Sequence, residues 1–246
     1  MNKLLDQIFE TKKVKDKNGR SYPLSGNIDF HEGKYLFDFI TNNSDILKTL
    51  EIGCAYGISS LFICSALKDR KNSKHIIIDP YQNTDYKGIG LLNLNKSGFH
   101  FYEHINKKSE EVLPELSIEK SESFDLILID GWHTFDHTML DLFFANKLIK
   151  KGGYIVIDDC RYHSVSKAIS YFSNYPAYSI ISEVSSKNLS KKAIATKYLS
   201  NIFPKLLWKF LPKFIYDILN RTQYSSMIIL QKKDDDVRDY RWFKNF

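Results

Sequence analysis

The chain has 246 residues, 43% of them hydrophobic and 26% charged, the balance of a soluble globular protein with room for one large domain. Disorder, a collagen-like repeat and a disulfide-stapled miniprotein are excluded, the last because Cys54, Cys64 and Cys160 form no CxxC spacing and read as buried, reduced thiols. Of the formal charge of +6, residues 187–221 alone carry +7, so the basic excess is one late segment and not the spread surface of a nucleic-acid reader.

The opening MNKLLDQIFETKK lacks an apolar stretch of signal-peptide length. The longest candidate span, Leu206 to Leu211, is broken by Lys209 and closed by Pro212, far below the roughly 20 apolar residues a bilayer needs. A cytoplasmic location is expected. Residues 1–45 predict a helical cap: a short helix, a polar stretch containing Gly19 and Pro23, and a second helix from His31 to Thr41.

From Leu47 onward short apolar runs alternate with helical patterns. Strands are predicted at Lys48 to Gly53, His75 to Asp79, His100 to His104, Phe124 to Asp130 and Tyr154 to Asp158. Helices are predicted at Ser59 to Leu67, Gly88 to Asn95, Ser109 to Leu116, Phe135 to Lys150 and His163 to Phe172. Two more strands, Tyr178 to Val184 and Tyr224 to Gln231, follow. The sum is an α/β, Rossmann-like doubly wound sheet of seven strands, mostly parallel with an antiparallel last strand and helices on both faces. The core is predicted over 46–186 and 222–246, with 187–221 inserted between the last two strands. Ligands of such sheets lie beyond the carboxyl ends of the strands, where Glu51, Asp79, Asp130, Asp158 and Asp159 all fall.

Between the first of these strands and its helix runs Glu51-Ile52-Gly53-Cys54-Ala55-Tyr56-Gly57-Ile58-Ser59. Glycines permit a tight turn against a ligand, and the helix start offers free amides. Ala55 breaks the G-x-G-x-x-G pattern of dinucleotide sites, and Glu51 would repel a diphosphate, so a small cationic cofactor such as S-adenosylmethionine suits the loop better than NAD. Asp79, at the next strand end, has the chemistry to accept both hydrogen bonds of a ribose diol. Asp130, Asp158 and Asp159 gather on adjacent strand ends, and like charges there favour a hard divalent ion such as Mg²⁺. His133 follows in a short loop, beside Trp132, whose ring is either core or a wall for a base.

With these residues assembled, the chain resembles the class I S-adenosylmethionine-dependent methyltransferases, and within them the Mg²⁺-dependent O-methyltransferases that include catechol O-methyltransferase and the sugar-modifying enzymes of macrolide and aminocoumarin pathways. The resemblance covers about Gly33 to Phe172. It implies that Glu51, Gly53, Ala55, Tyr56, Gly57 and Ser59 surround the methionine part of the cofactor and that Asp79 holds the ribose. It also implies that Ser109 and Glu110 border the adenine with Trp132 stacked on it. Asp130, Asp158 and Asp159 would be the metal ligands, Asp130 also touching the cofactor, and His133 the general base, with an aspartate as the alternative base. The catechol enzymes have Asn where this chain has Asp159 and Lys where it has His133, so the likeness is closer to the sugar enzymes. The expected acceptor is a small molecule or glycan with neighbouring oxygens, sugar favoured.

The insertion carries Phe203, Leu206, Leu207, Phe210, Phe214 and Ile218 at helical spacing, with Lys205, Lys209 and Lys213 on a separate stripe. A lid over the substrate, a homo-oligomer interface, and peripheral contact of 201–219 with the inner face of an anionic membrane are all consistent with that pattern. The rival functions are a non-catalytic S-adenosylmethionine-binding scaffold and an NAD-dependent oxidoreductase.

Overall fold

The computed structural model describes residues 2–185 and 225–244. The chain opens with α1 (Lys3–Thr11), β1 (Lys13–Lys15), β2 (Ser21–Pro23) and α2 (Phe30–Asn42). The β1–β2 ribbon replaces the predicted polar stretch. Asp16 makes it: its carboxylate accepts the Asn18 and Arg20 amides at 2.9 Å each and the Tyr22 hydroxyl at 3.0 Å. Strands this short leave no alternation to read in the sequence. Helix α2 starts one residue earlier than predicted because Asp29 and Glu32 form a reciprocal capping box.

The rest alternates as β3 (Lys48–Ile52), α3 (Ile58–Leu67), β4 (Lys74–Ile78), α4 (Ile89–Lys96), β5 (Tyr102–Ile105), α5 (Ser109–Glu119), β6 (Phe124–Ile129), α6 (Phe135–Leu148), β7 (Ile149–Ile157) and α7 (His163–Phe172), then β8 (Tyr178–Val184) and β9 (Met227–Lys232). Seven strands form one sheet in the order β5-β4-β3-β6-β7-β9-β8, in which β9 runs against both of its neighbours. The antiparallel last strand is therefore as expected. Strand β7 begins at Ile149 and not at Tyr154, because Phe124 pairs with Ile149 before a register shift. That pairing ends α6 at Leu148, short of the predicted Lys150.

The strands are apolar almost throughout because both faces are covered; every residue of β6 is buried. On one face Leu50, Ile52 and Ile127 meet Leu113, Leu142 and Phe172 of α5, α6 and α7. On the other, Leu126 and Leu128 meet Phe62 of α3 together with Leu5 and Leu36 from α1 and α2, so the first 45 residues share the main core. Cys54, Cys64 and Cys160 are buried and unbridged. Strand order reverses between β3 and β6, and a crevice opens there at the carboxyl ends. The predicted insertion 187–221, with its lid, interface and membrane options, lies outside the described residues. Among those described, no helix is long and apolar enough to cross a membrane.

Candidate active site

The turn from β3 into α3 carries three left-handed residues, Gly53 (φ +89°), Ala55 (φ +47°) and Gly57 (φ +77°). Asp79 holds it in shape. Its Oδ2 accepts the amides of Cys54 and Ala55 at 2.9 Å each and the side-chain amide of Gln82 at 3.0 Å, while Oδ1 accepts the Tyr81 amide at 2.7 Å. Gln82 also donates to the Ala55 carbonyl at 2.7 Å. The residue expected to hold a ribose thus first braces the loop beside it.

Glu51 sits below that loop and does not line the cleft. It is fully buried, accepts a hydrogen bond from Ser60, and faces His75 Nε2 at 3.0 Å; His75 Nδ1 in turn meets the Thr49 hydroxyl at 2.8 Å. Its Oε1 has no partner. Tyr56, Gly57 and Ser59 are also absent from the cleft wall, Ser59 being buried in the first turn of α3.

The cleft encloses about 1050 Å³ and is lined by the other predicted residues: Gly53, Ala55, Asp79, Ser109, Glu110, Asp130, Trp132, His133, Asp158 and Asp159. Trp132 is 61% exposed, which removes it from the core and makes it a wall. Sequence reasoning missed Asp29 and Glu32 at the start of α2, Tyr81, Asp85 and Tyr86 after β4, and Arg161 and Tyr162 before α7. The capping pattern D-x-x-E was the readable signal for the first pair; it announces a helix start and says nothing of what that start faces.

At the acidic end, Asp130 Oδ1, His133 Nε2 and Asp159 Oδ2 lie within 4.8 Å of one another. His133 Nε2 is 3.4 Å from each carboxylate oxygen, is itself buried, and makes no hydrogen bond. Asp158 stands outside this group, although all three aspartates were expected to share it. Burial pushes the Asp130 carboxyl up to about 6, against the pull of His133. Asp158 is driven well above the usual carboxylate range, first by burial and then by Asp130, Glu32 and Asp159. Burial opposes protonation of His133, but Asp130 and Asp159 outweigh it and raise the imidazole. Asp159 occupies left-handed backbone (φ +52°), a strained conformation of the kind concentrated at functional sites.

Behind the wall, Asp141 of α6 is 1% exposed and its Oδ1 has no partner. Burial raises its pKa from 3.8 to about 7, with Glu110 adding to the rise while Ser109 and His137 oppose it. In the unfolded chain this acid ionises near its ordinary value, so between about pH 4 and 7 the folded state holds the extra proton and loses stability as pH rises. Asp141→Asn is therefore expected to melt higher than the parent at pH 8, by at most about 4 kcal/mol, and to show no gain at pH 4. Parallel melting curves of the two proteins across that range would contradict a neutral Asp141.

A doubly wound sheet with β9 reversed, a braced glycine turn after its first core strand and a cleft at the switch point are the architecture that the sequence resemblance implies. Residues 50–160 match the family model described as a methyltransferase domain. The O-methyltransferase TomG from Streptomyces achromogenes, involved in tomaymycin synthesis and solved with SAM, is 14% identical with a TM-score of 0.63, covering 95% of this chain and 91% of its own. An O-methyltransferase from Bacillus cereus, solved with SAH, is 15% identical with a TM-score of 0.64, covering 94% and 90%. At such identities the likeness establishes the fold. No curated protein matches the sequence. Residues 50–160 are similar to a methyltransferase domain, and the whole described chain shares the fold of these O-methyltransferases.

Proposed function

We propose that this protein is a methyltransferase acting on oxygen, transferring the methyl group of S-adenosylmethionine to a hydroxyl of a small molecule or glycan that bears a neighbouring oxygen, sugar favoured, with help from a divalent cation. The observation that supports this reading is the division of one cleft: a braced glycine turn at one end, and at the other a cluster of carboxylates around a buried imidazole nitrogen with no hydrogen-bond partner. Carboxylate oxygens gathered at one end of the cleft form a donor set that fits a hard divalent ion.

The chain's own residues then divide the work. The turn braced by Asp79, at Gly53 to Ala55, would receive the methionine part, and Trp132, with Ser109 and Glu110, would wall the adenine. Asp130 and Asp159 would hold the cation, whose Lewis acidity would lower the pKa of the acceptor hydroxyl. As the O–CH₃ bond forms, the S–CH₃ bond breaks with its electron pair going to sulfur, and the hydroxyl proton leaves to the acidic end of the cleft. Either His133 or a rim aspartate can receive it. Closely held partners in line supply much of the acceleration.

Calorimetric titration is the test. S-adenosylmethionine is expected to bind with Mg²⁺ or with chelator, NAD⁺ is expected not to bind, and label from the methyl group is expected to reach vicinal-diol sugars only in the presence of a divalent ion. Binding of NAD⁺ in place of S-adenosylmethionine would sink the assignment, and transfer indifferent to chelator would remove the metal from it.

A further inference from the structure

We propose that His133 is a ligand of the metal centre and not its free base, so that Asp130, His133 and Asp159 form a nitrogen-and-two-carboxylate set that prefers first-row transition ions such as Mn²⁺ over Mg²⁺. The proposal rests on the metal-dependent reading above and departs from the three-aspartate set that the sequence predicts.

The spacing is the first argument. His133 Nε2 stands 3.4 Å from Asp130 Oδ1 and 3.4 Å from Asp159 Oδ2. A protein N–H···O bond closes to about 2.7–3.2 Å, so neither contact is a formed hydrogen bond. Two donors each about 2.1 Å from a common octahedral ion lie about 3.0 Å apart, so a shared ion would ask each pair to close by only a few tenths of an ångström. The nitrogen is thus left without a hydrogen-bond partner and close to the spacing that a shared ion would impose.

The second argument is that the ring is held in place. It stacks on Tyr162 with centroids 5.2 Å apart and planes 22° apart, and its backbone carbonyl accepts a hydrogen bond from Ser164. The loop is tied by the Thr134 amide donating to the Trp132 carbonyl at 2.9 Å, and Thr134 caps α6. A general base must present its nitrogen to the acceptor, whereas this one is fixed toward two carboxylates.

The third argument is the position of Asp158, whose carboxyl is buried near Glu32 and outside the three-donor group. Without Asp158 the set has one nitrogen and two oxygens. Imidazole suits the later transition ions and carboxylates suit Mg²⁺ and Mn²⁺, so the mixture moves the preference away from Mg²⁺ toward Mn²⁺ or Fe²⁺. With His133 occupied, the acceptor proton goes to a carboxylate of the rim.

Mn²⁺ serves as the probe because it is paramagnetic. The full chain, stripped with chelator, would be titrated with Mn²⁺ and Mg²⁺ by calorimetry, and the Mn²⁺ form examined by electron spin-echo spectroscopy for coupling to ¹⁴N. Parent and His137→Ala proteins are expected to show that coupling, and His133→Ala to lose it while binding Mn²⁺ at least about 10-fold more weakly, since even outer-sphere partners of a metal are worth 10- to 100-fold. His133→Gln guards against a folding defect: with S-adenosylmethionine affinity retained, it too should lose the nitrogen signal. Mn²⁺ bound to the parent without nitrogen coupling, or bound equally well by His133→Ala, would overturn the ligand assignment and leave a metal site of carboxylates. A parent that binds neither ion would overturn this proposal together with the metal-dependent reading.

Discussion

Gly53→Ala is expected to weaken S-adenosylmethionine binding at least about 100-fold, the scale of loss that a 1 Å misplacement produces in a preorganised site. A methyl group at this position would lie 2.0 Å from the Asp130 carbonyl oxygen and 2.7 Å from its carbon, in backbone already at φ +89°. Asp130 cannot retreat, because its amide donates to the Ile52 carbonyl at 2.9 Å, and Gly53 is held by its own amide to Ile78 at 3.0 Å. The clash would therefore push the glycine turn away from the acidic rim where the paired strands β3 and β6 end. Gly98→Ala is the comparison: its φ is +76° with nothing within 4 Å, so it should cost only the left-handed penalty of about 1–2 kcal/mol and leave cofactor affinity alone. Calorimetric titration beside thermal melting separates the two cases. Parent-like affinity in Gly53→Ala would show that the cofactor does not use this turn.

Asp130→Asn is expected to have opposite effects on activity and stability. On the proposed metal-dependent reading it removes a ligand worth several kcal/mol of transition-state stabilisation, so turnover should fall by about 10²- to 10⁴-fold. Excess Mn²⁺ should restore part of it, because the other two donors remain. The same change removes a buried carboxylate whose pKa is raised to about 6. A raised folded-state pKa gives stability that is complete below the ordinary carboxylate value and lost as pH climbs through 6, so the metal-free variant should melt above the parent at pH 7.5 and match it near pH 4. A variant that retains full turnover would remove Asp130 from the chemistry.

Much of this was readable because parallel strands buried on both faces leave runs such as Ile76-Ile77-Ile78 and Leu126-Ile127-Leu128-Ile129, which turn signals then bound. Strand-end acids could be placed on one rim for the same reason: the βα rhythm fixes direction as well as sequence position. What one rim cannot reveal is where each carboxylate points. Glu51 and Asp159 both end strands, yet one is turned under the loop to His75 and Ser60 while the other swings into the cleft through a left-handed backbone. Spacing alone carries no φ angle. The acids of α2 were illegible for a different reason, since their approach to Asp158 depends on a packing of α2 against the sheet that no local pattern encodes.

Strand β9 runs antiparallel to both β7 and β8, so β8 points the same way as the parallel strands and ends on the rim that holds the cleft. Val184 pairs with Met227 there, and the Ser226 amide donates to the Val184 carbonyl at 2.8 Å. Everything between those residues leaves and re-enters the sheet at one point. A chain stretch tethered in this way is topologically a graft: its length enters the free energy only through a slowly growing logarithm of loop closure, about 0.6 kcal/mol per doubling. That edge of the sheet can therefore accept joined segments of very different length and charge, and evolution can exchange them without renegotiating the core.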